Sequence, residues 1–197
     1  MPKVSEEYRA AKRIEIEDAA LRAFLRKGFQ AASMADIIAE AGVSAGAIYG
    51  TFASKADIVQ SVATRIVSAL ILDMENLAEA EPMVKPGDML ASLMHGMLAV
   101  VEKPAILVQL WGEAMTDEPL GELATAIIIR LRAMYTAYIA TWHRRTHGLS
   151  QAEADALATE QTPLFVAASQ GFILQRALFA DFDAELYLAR VAKHLPS

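Results

Sequence analysis

Apolar residues recur at helical spacing along nearly the whole chain, and no stretch sustains the period-two alternation of a strand. The first clear helical face is Ile16, Ala20, Ala23 and Phe24, closed by Gly28, with Phe29 placed to fold back beneath the next pair of helices. Residues 33–55, SMADIIAEAGVSAGAIYGTFASK, then predict two short helices around a tight turn. Ser33 with Asp36 gives the capping-box spacing, and Met34, Ile37, Ile38 and Ala41 form one apolar face. Gly42 stops that helix. Ser44 caps a second helix with Ala47, Ile48 and Phe52 on its inner side, and Ser54 with Asp57 starts a third. Two helices joined by a few residues that include Gly form a helix-turn-helix, which lays its second helix in the DNA major groove.

Beyond the headpiece the pattern stays helical. A long helix runs from Ser54 to about Ala80 and ends at EAEPMVKPGD, a Pro- and Gly-bearing loop. Further helices are expected over 88–102, from Pro104 to the TDEP turn, over 120–147 with a basic end, over 150–180 with a bend or break near Pro163, and over 183–194. The chain is therefore predicted to be all-α with about nine helices and no internal repeat.

Composition narrows the class. Of 197 residues 54% are hydrophobic, high for a chain without roughly 18 uninterrupted apolar residues, so a membrane partner is not expected. Surplus apolar surface of this kind points to an obligate interface, an internal cavity, or both. The first residues are charged and polar, so secretion is not expected, and the absence of cysteine removes disulfides, thiolate zinc sites and thiol redox sensing. A cytoplasmic location is the expectation. Residues 1–60 carry 8 basic and 8 acidic side chains and residues 61–197 carry 10 and 16, so the net −6 lies wholly in the second part. The neutral headpiece lacks a general basic excess, although Lys3, Arg9, Lys12 and Arg13 cluster at its amino end. Modest non-specific affinity and a shallow salt slope are expected from that balance.

Enzymatic signatures do not appear. None of His95, His143, His147 or His194 has Glu three residues before it, and there is no phosphate loop, G-x-G-x-x-G or G-x-S-x-G. No metal site and no cofactor are expected. The helices over 88–180 would enclose a pocket lined by Met94, Met97, Trp111, Met115, Tyr135, Tyr138 and Phe165, with His95, Gln109, Glu113 and Gln170 as polar anchors. Methionine and aromatic walls suit a mostly apolar small molecule.

Residues 12–59 resemble the DNA-binding domain of the tetracycline-repressor (TetR) family of bacterial regulators. Ile16, Ala19, Ala20, Phe24, Gly28, Phe29, Ser33, Ile37, Ala41, Gly42, Val43, Ser44, Gly46, Tyr49, Phe52, Lys55 and Ile58 carry the likeness. Ile38, Ala45 and Thr51 depart from the family's usual residues. The resemblance implies a DNA-binding domain over 1–60 and a helical effector-binding and dimerisation domain over 61–197. The expected DNA-facing set is Ser33, Met34, Ser44, Ala45, Gly46, Ala47, Tyr49, Gly50, Thr51 and Lys55. In that family the last two long helices pair with those of a second copy. Here that assigns Ala167, Gly171, Leu174, Leu178, Leu186 and Val191 to a homodimer interface. The implied function is a ligand-responsive regulator, more often a repressor, that binds a palindromic double-stranded operator and is released by a small-molecule effector. A second reading keeps the helical body as a ligand- or partner-binding protein and makes the headpiece vestigial, on the strength of its neutral charge and Ala45.

Overall fold

The computed structural model describes residues 6–101 and 103–196; Lys3 lies outside them. Among the described residues the secondary structure is helical throughout: α1 (Glu6–Lys27), α2 (Met34–Ala41), α3 (Ala45–Tyr49), α4 (Lys55–Glu79), α5 (Pro86–Val100), α6 (Ala105–Ala114), α7 (Glu118–His147), α8 (Gln151–Leu178) and α9 (Ala184–His194). The chain divides into two compact units. One holds the chain up to Arg65 together with Gln109–Leu123, and the other holds Ile66–Val108 and the chain from Ala124 onward. Helices α4, α6 and α7 therefore have residues in both.

In the first unit α1 begins about ten residues earlier than its apolar face suggests, since Glu6 to Glu15 form an exposed extension ahead of Ile16. Its inner stripe of Ile16, Ala19, Ala20, Ala23 and Phe24 is fully buried, and the small alanines let α2 pack closely across it. Phe29 turns back onto Phe24 with ring centroids 5.1 Å apart in an edge-on pair. Ile37 of α2, Ile48 of α3 and Phe52 and Ile58 beyond it complete this core.

The second unit is a helical body with α9 packed along α5 and α8 against both. Gly87 makes the α5–α9 approach possible: a Cβ there would lie 2.5 Å from the Ala192 carbonyl oxygen. Facing side chains stitch α7 to α8, with Tyr135 hydroxyl to Ser169 at 2.9 Å, Thr136 to Thr162 at 2.8 Å and His143 to Gln161 at 3.1 Å. Tyr138 donates to the Val84 carbonyl at 2.8 Å, which ties α7 to the loop ahead of α5. Helix α8 runs through Pro163 without the expected break. Pro163 and Thr159 are both exposed, and a carbonyl deprived of its donor costs least on a solvent-facing side of a helix. Helix α7 is long and apolar enough by length and composition to cross a membrane. It nevertheless carries Arg130 and Arg132 midway and buries Tyr135, Tyr138, Ile139 and Trp142 within the body.

Candidate nucleic-acid interface

The two helices of the turn are held by their caps. The Ser33 hydroxyl accepts from the Asp36 amide at 3.2 Å while Asp36 accepts from the Ser33 amide at 2.9 Å, closing the box that the spacing predicts. Gly42 ends α2 at φ 64°, a left-handed conformation, and its amide reaches the Ile38 carbonyl. Ser44 accepts from the Ala47 amide at 3.3 Å and starts α3. Ser54 caps α4 by accepting from the Asp57 amide at 3.1 Å.

These caps leave α3 seated on one buried side chain, Ile48, with Ala45, Gly46, Tyr49 and Gly50 turned outward. Tyr49 is 54% exposed, so it is not the core aromatic that such a position often is. The outer face is otherwise methyls and bare backbone, able to approach a groove floor closely. Thr51 is half-buried and its hydroxyl donates to the Ala47 carbonyl at 3.0 Å, a bond internal to the helix end. Met34 is half-buried and Ser33 and Ser44 are exposed.

The electrostatics of the unit are largely self-contained. Asp36 also takes Lys27 at 2.5 Å; that hydrogen bond, with those from Ser33, holds its carboxyl well below the ordinary range. Glu40 is lowered likewise by Arg26 at 2.5 Å and Arg22 at 3.0 Å. With Asp36 in its first turn, the α2 amino terminus already holds a negative charge, which disfavours a phosphate there. The α3 amino terminus has no acid in its first turn. Lys55, expected to face a phosphate, instead donates to the Phe29 and Gln30 carbonyls at 2.9 and 3.3 Å and lies 4.7 Å above the Phe29 ring. It acts in this structure as a strap between the start of α4 and the α1–α2 loop. Glu17 is buried and held by Arg65 at 2.9 Å and the Ser61 hydroxyl at 2.5 Å, with Arg13 at 3.5 Å, and Arg13 also covers the Phe52 ring. No sequence motif marks this cluster, because the hydrogen bonds that join α1 to α4 in it span 44 to 48 residues.

A family description of bacterial regulatory proteins of the tetR family matches residues 16–62, which span the buried stripe of α1, the turn and the start of α4. The headpiece of this chain is thus similar to that of the tetR family. That is a family of DNA-binding transcriptional regulators with a helix-turn-helix, not of enzymes. An uncharacterized HTH-type transcriptional regulator of Bacillus subtilis, YfiR, is 36% identical over 61 residues, 31% of this chain and 30% of the relative. The match thus spans less than a third of YfiR's length. Salmonella enterica GusR shares the fold with TM-score 0.71 at 19% identity, covering 98% of each chain. Bacillus subtilis FadR in complex with stearoyl-CoA does so with TM-score 0.72 at 19% identity, covering 93% of this chain and 97% of that one. A regulator from Mesorhizobium loti shares it too, with TM-score 0.67 at 21% identity, covering 94% and 93%.

The residues expected to line an effector pocket are dispersed. Met94, Met97, Tyr135, Tyr138 and Phe165 are buried in the second unit. Burial pushes the hydroxyls of Tyr135 and Tyr138 up to about 12, so both stay neutral hydrogen-bonding groups. His95 and Gln170 in the same unit are exposed, and His95 bonds Glu185 at 2.8 Å. Gln109, Trp111 and Met115 fall in the first unit. Met115 is 85% exposed in the α6–α7 turn, which removes it from any interior wall.

On α8 the expected interface residues Ala167, Leu174 and Leu178 are exposed and are joined by Leu164, whereas Gly171 is half-buried, a Cβ there lying 3.0 Å from the Tyr187 hydroxyl of α9. Leu164, Ala167, Gly171, Leu174 and Leu178 recur at spacings of three and four, the repeat of a helix-packing seam. The leucines among them, with Phe179 and with Leu186 of α9, are 42–63% exposed. Val191 of α9 is half-buried. Alongside lies an open groove of about 620 Å³ bordered by Gln175, Phe182, Tyr187, Arg190, Val191 and His194.

Proposed function

We propose that the protein is a ligand-responsive transcriptional repressor that binds a palindromic operator as a homodimer and is released by a small, mostly apolar effector. In this reading residues 1–60 are the DNA-binding domain and residues 61–197 the effector-binding and dimerisation domain, and the protein works in the cytoplasm. The observation that carries it is α3, capped at Ser44, pinned by Ile48 and otherwise open to solvent along Ala45, Gly46 and Tyr49. A side-chain-poor reading helix gains selectivity from thymine methyl contacts, from DNA shape and from the spacing of two half-sites. The α8 stripe supports the dimer, since exposed apolar side chains at seam spacing favour a like surface about a two-fold axis. The buried methionines and aromatics of the second unit support an apolar effector, a preference consistent with the stearoyl-CoA carried by FadR, a protein of the same fold.

The second reading, a vestigial headpiece, draws on the pairing of Lys12, Arg13, Arg22, Arg26, Lys27 and Lys55 within the unit. A gel shift with the protein's own upstream DNA separates the two. A sequence-selective, salt-sensitive band supports the repressor; its absence at every fragment and salt supports the vestigial headpiece.

A further inference from the structure

We propose that His143 and His147, at the carboxyl end of α7, form a binding site for a divalent transition-metal ion of the zinc type. Glu-x-x-His pairs are absent from the chain, but these two histidines stand four residues apart, the spacing that sets side chains one above the other on a helix. Their rings lie with centres 5.5 Å apart and planes inclined by 36°. Two imidazoles on one tetrahedral ion, with metal–nitrogen distances of about 2.0–2.1 Å, have ring centres roughly 5 Å apart. The pair therefore stands near chelating separation before an ion arrives.

The protonation of the His143 ring is a second, independent pointer. His143 is 4% exposed, and its Nε2 faces the side-chain carbonyl oxygen of Gln161 on α8 at 3.1 Å. That oxygen only accepts, so Nε2 carries the hydrogen and Nδ1 carries the lone pair. Nδ1 is buried and has no hydrogen-bond partner. A bare lone pair in the interior is unfavourable, and a bound cation relieves it. Donating one ring nitrogen to a carbonyl while offering the other is the usual posture of a metal-ligating histidine, with Gln161 as the outer partner. His147 is exposed, so its ring turns on the nanosecond scale and admits an ion beside Nδ1. The neighbouring cations are engaged elsewhere: Arg144 donates to Gln151 and Thr141, and Arg145 to the Ala78 carbonyl and Glu81. The carbonyls that end α7 place the negative pole of the helix dipole at this turn. Among the described residues no group of three His, Cys, Asp or Glu gathers, so water completes the coordination and the ion exchanges readily. His95 offers no such site, since both its ring nitrogens are bonded, to the Ala91 carbonyl and to Glu185.

The test titrates the tag-free full chain with Zn2+ alone, in buffer without chelator, and follows the histidine ring resonances by NMR. Signals of His143 and His147 should shift together to one saturation, while those of His95 and His194 stay in place. Mg2+, which prefers oxygen ligands, should move none of them. Zn2+ should also raise the melting temperature, because it binds the folded state. His147→Ala changes an exposed side chain, so the protein should melt as the wild type does without Zn2+. It should nevertheless bind Zn2+ at least about 10-fold more weakly, since even an outer partner of a metal ligand is worth that much. Gln161→Leu removes the outer partner and should weaken binding by about 10-fold, whereas Gln161→Glu restores an acceptor and should bind at least as tightly as the wild type. Zn2+ affinity unchanged by His147→Ala, shifts spread over all four histidines, or no shift at millimolar Zn2+ would overturn the proposal.

Discussion

Leu178→Glu is the substitution that puts the proposed dimer most at risk. Leu178 lies at the end of the α8 stripe and is 63% exposed. Fully burying a leucine contributes about 1.5–3 kcal/mol, so covering a side chain already partly sheltered contributes roughly 1–2 kcal/mol. In a two-fold interface the residue occurs twice, which makes the loss on truncation about 2–4 kcal/mol, or about 30- to 1000-fold in the dissociation constant. Glutamate adds two carboxylates that must be desolvated against an apolar mate, so its cost exceeds that of alanine. Across the four leucines and Phe179 of two protomers, the same arithmetic gives roughly 10–20 kcal/mol of gross stabilisation, set against an association cost of about 4–15 kcal/mol. The margin is narrow, and a single charge should consume it. Sedimentation velocity from nanomolar to tens of micromolar should show a wild-type dimer, a weakened dimer for Leu178→Ala and a folded monomer for Leu178→Glu. A Leu178→Glu dimer that persists at nanomolar concentration would refute the placement of the seam on α8.

Three further outcomes are expected. Tyr49→Ala removes the one large outward side chain of α3 and should weaken operator binding about 10-fold while leaving the dimer and melting temperature unchanged, as read by fluorescence anisotropy. Ser33→Ala removes the α2 cap and should cost about 1 kcal/mol, seen as a fall of about 2–4 °C in Tm. Asp36, Glu40 and Glu153 all have lowered pKa values in the folded chain, so the folded state binds fewer protons than the unfolded one across that range. Their contribution is complete above the ordinary carboxylate range near pH 4 and is lost as the pH falls through the folded values. Thermal melts from pH 7 to 3 should show that decline, and Asp36→Asn should flatten it.

The turn was the most legible part of the sequence, because cap chemistry is local. Ser33, Asp36, Gly42, Ser44 and Ser54 each act within four residues, and each makes the bond its spacing implies. The α8 stripe was readable as composition, although its exposure needed coordinates. Long-range polar contacts were not readable. Gln30 meets Glu113 across 83 residues and Arg65 meets Asp18 across 47, and nothing in either local pattern marks the partner. The Lys55 bonds were hidden for the same reason: its spacing suggests a phosphate contact, and nothing local marks the Phe29 and Gln30 carbonyls that its ammonium reaches in the structure. Met115 failed differently. A methionine ending an apolar run looks like lining, but here the helix has already turned away at Ala114. At Pro163 the expected break is absent, since the helix continues where Pro163 and Thr159 are both exposed.

Selection of random duplex DNA by the purified protein, with sequencing and measurement of the number of chains bound per duplex, tests the central claim most directly. An enriched inverted repeat occupied by two or more chains, lost on Tyr49→Ala, is the expected result. A pool that stays random, or a site without a repeat bound by one chain, would contradict it.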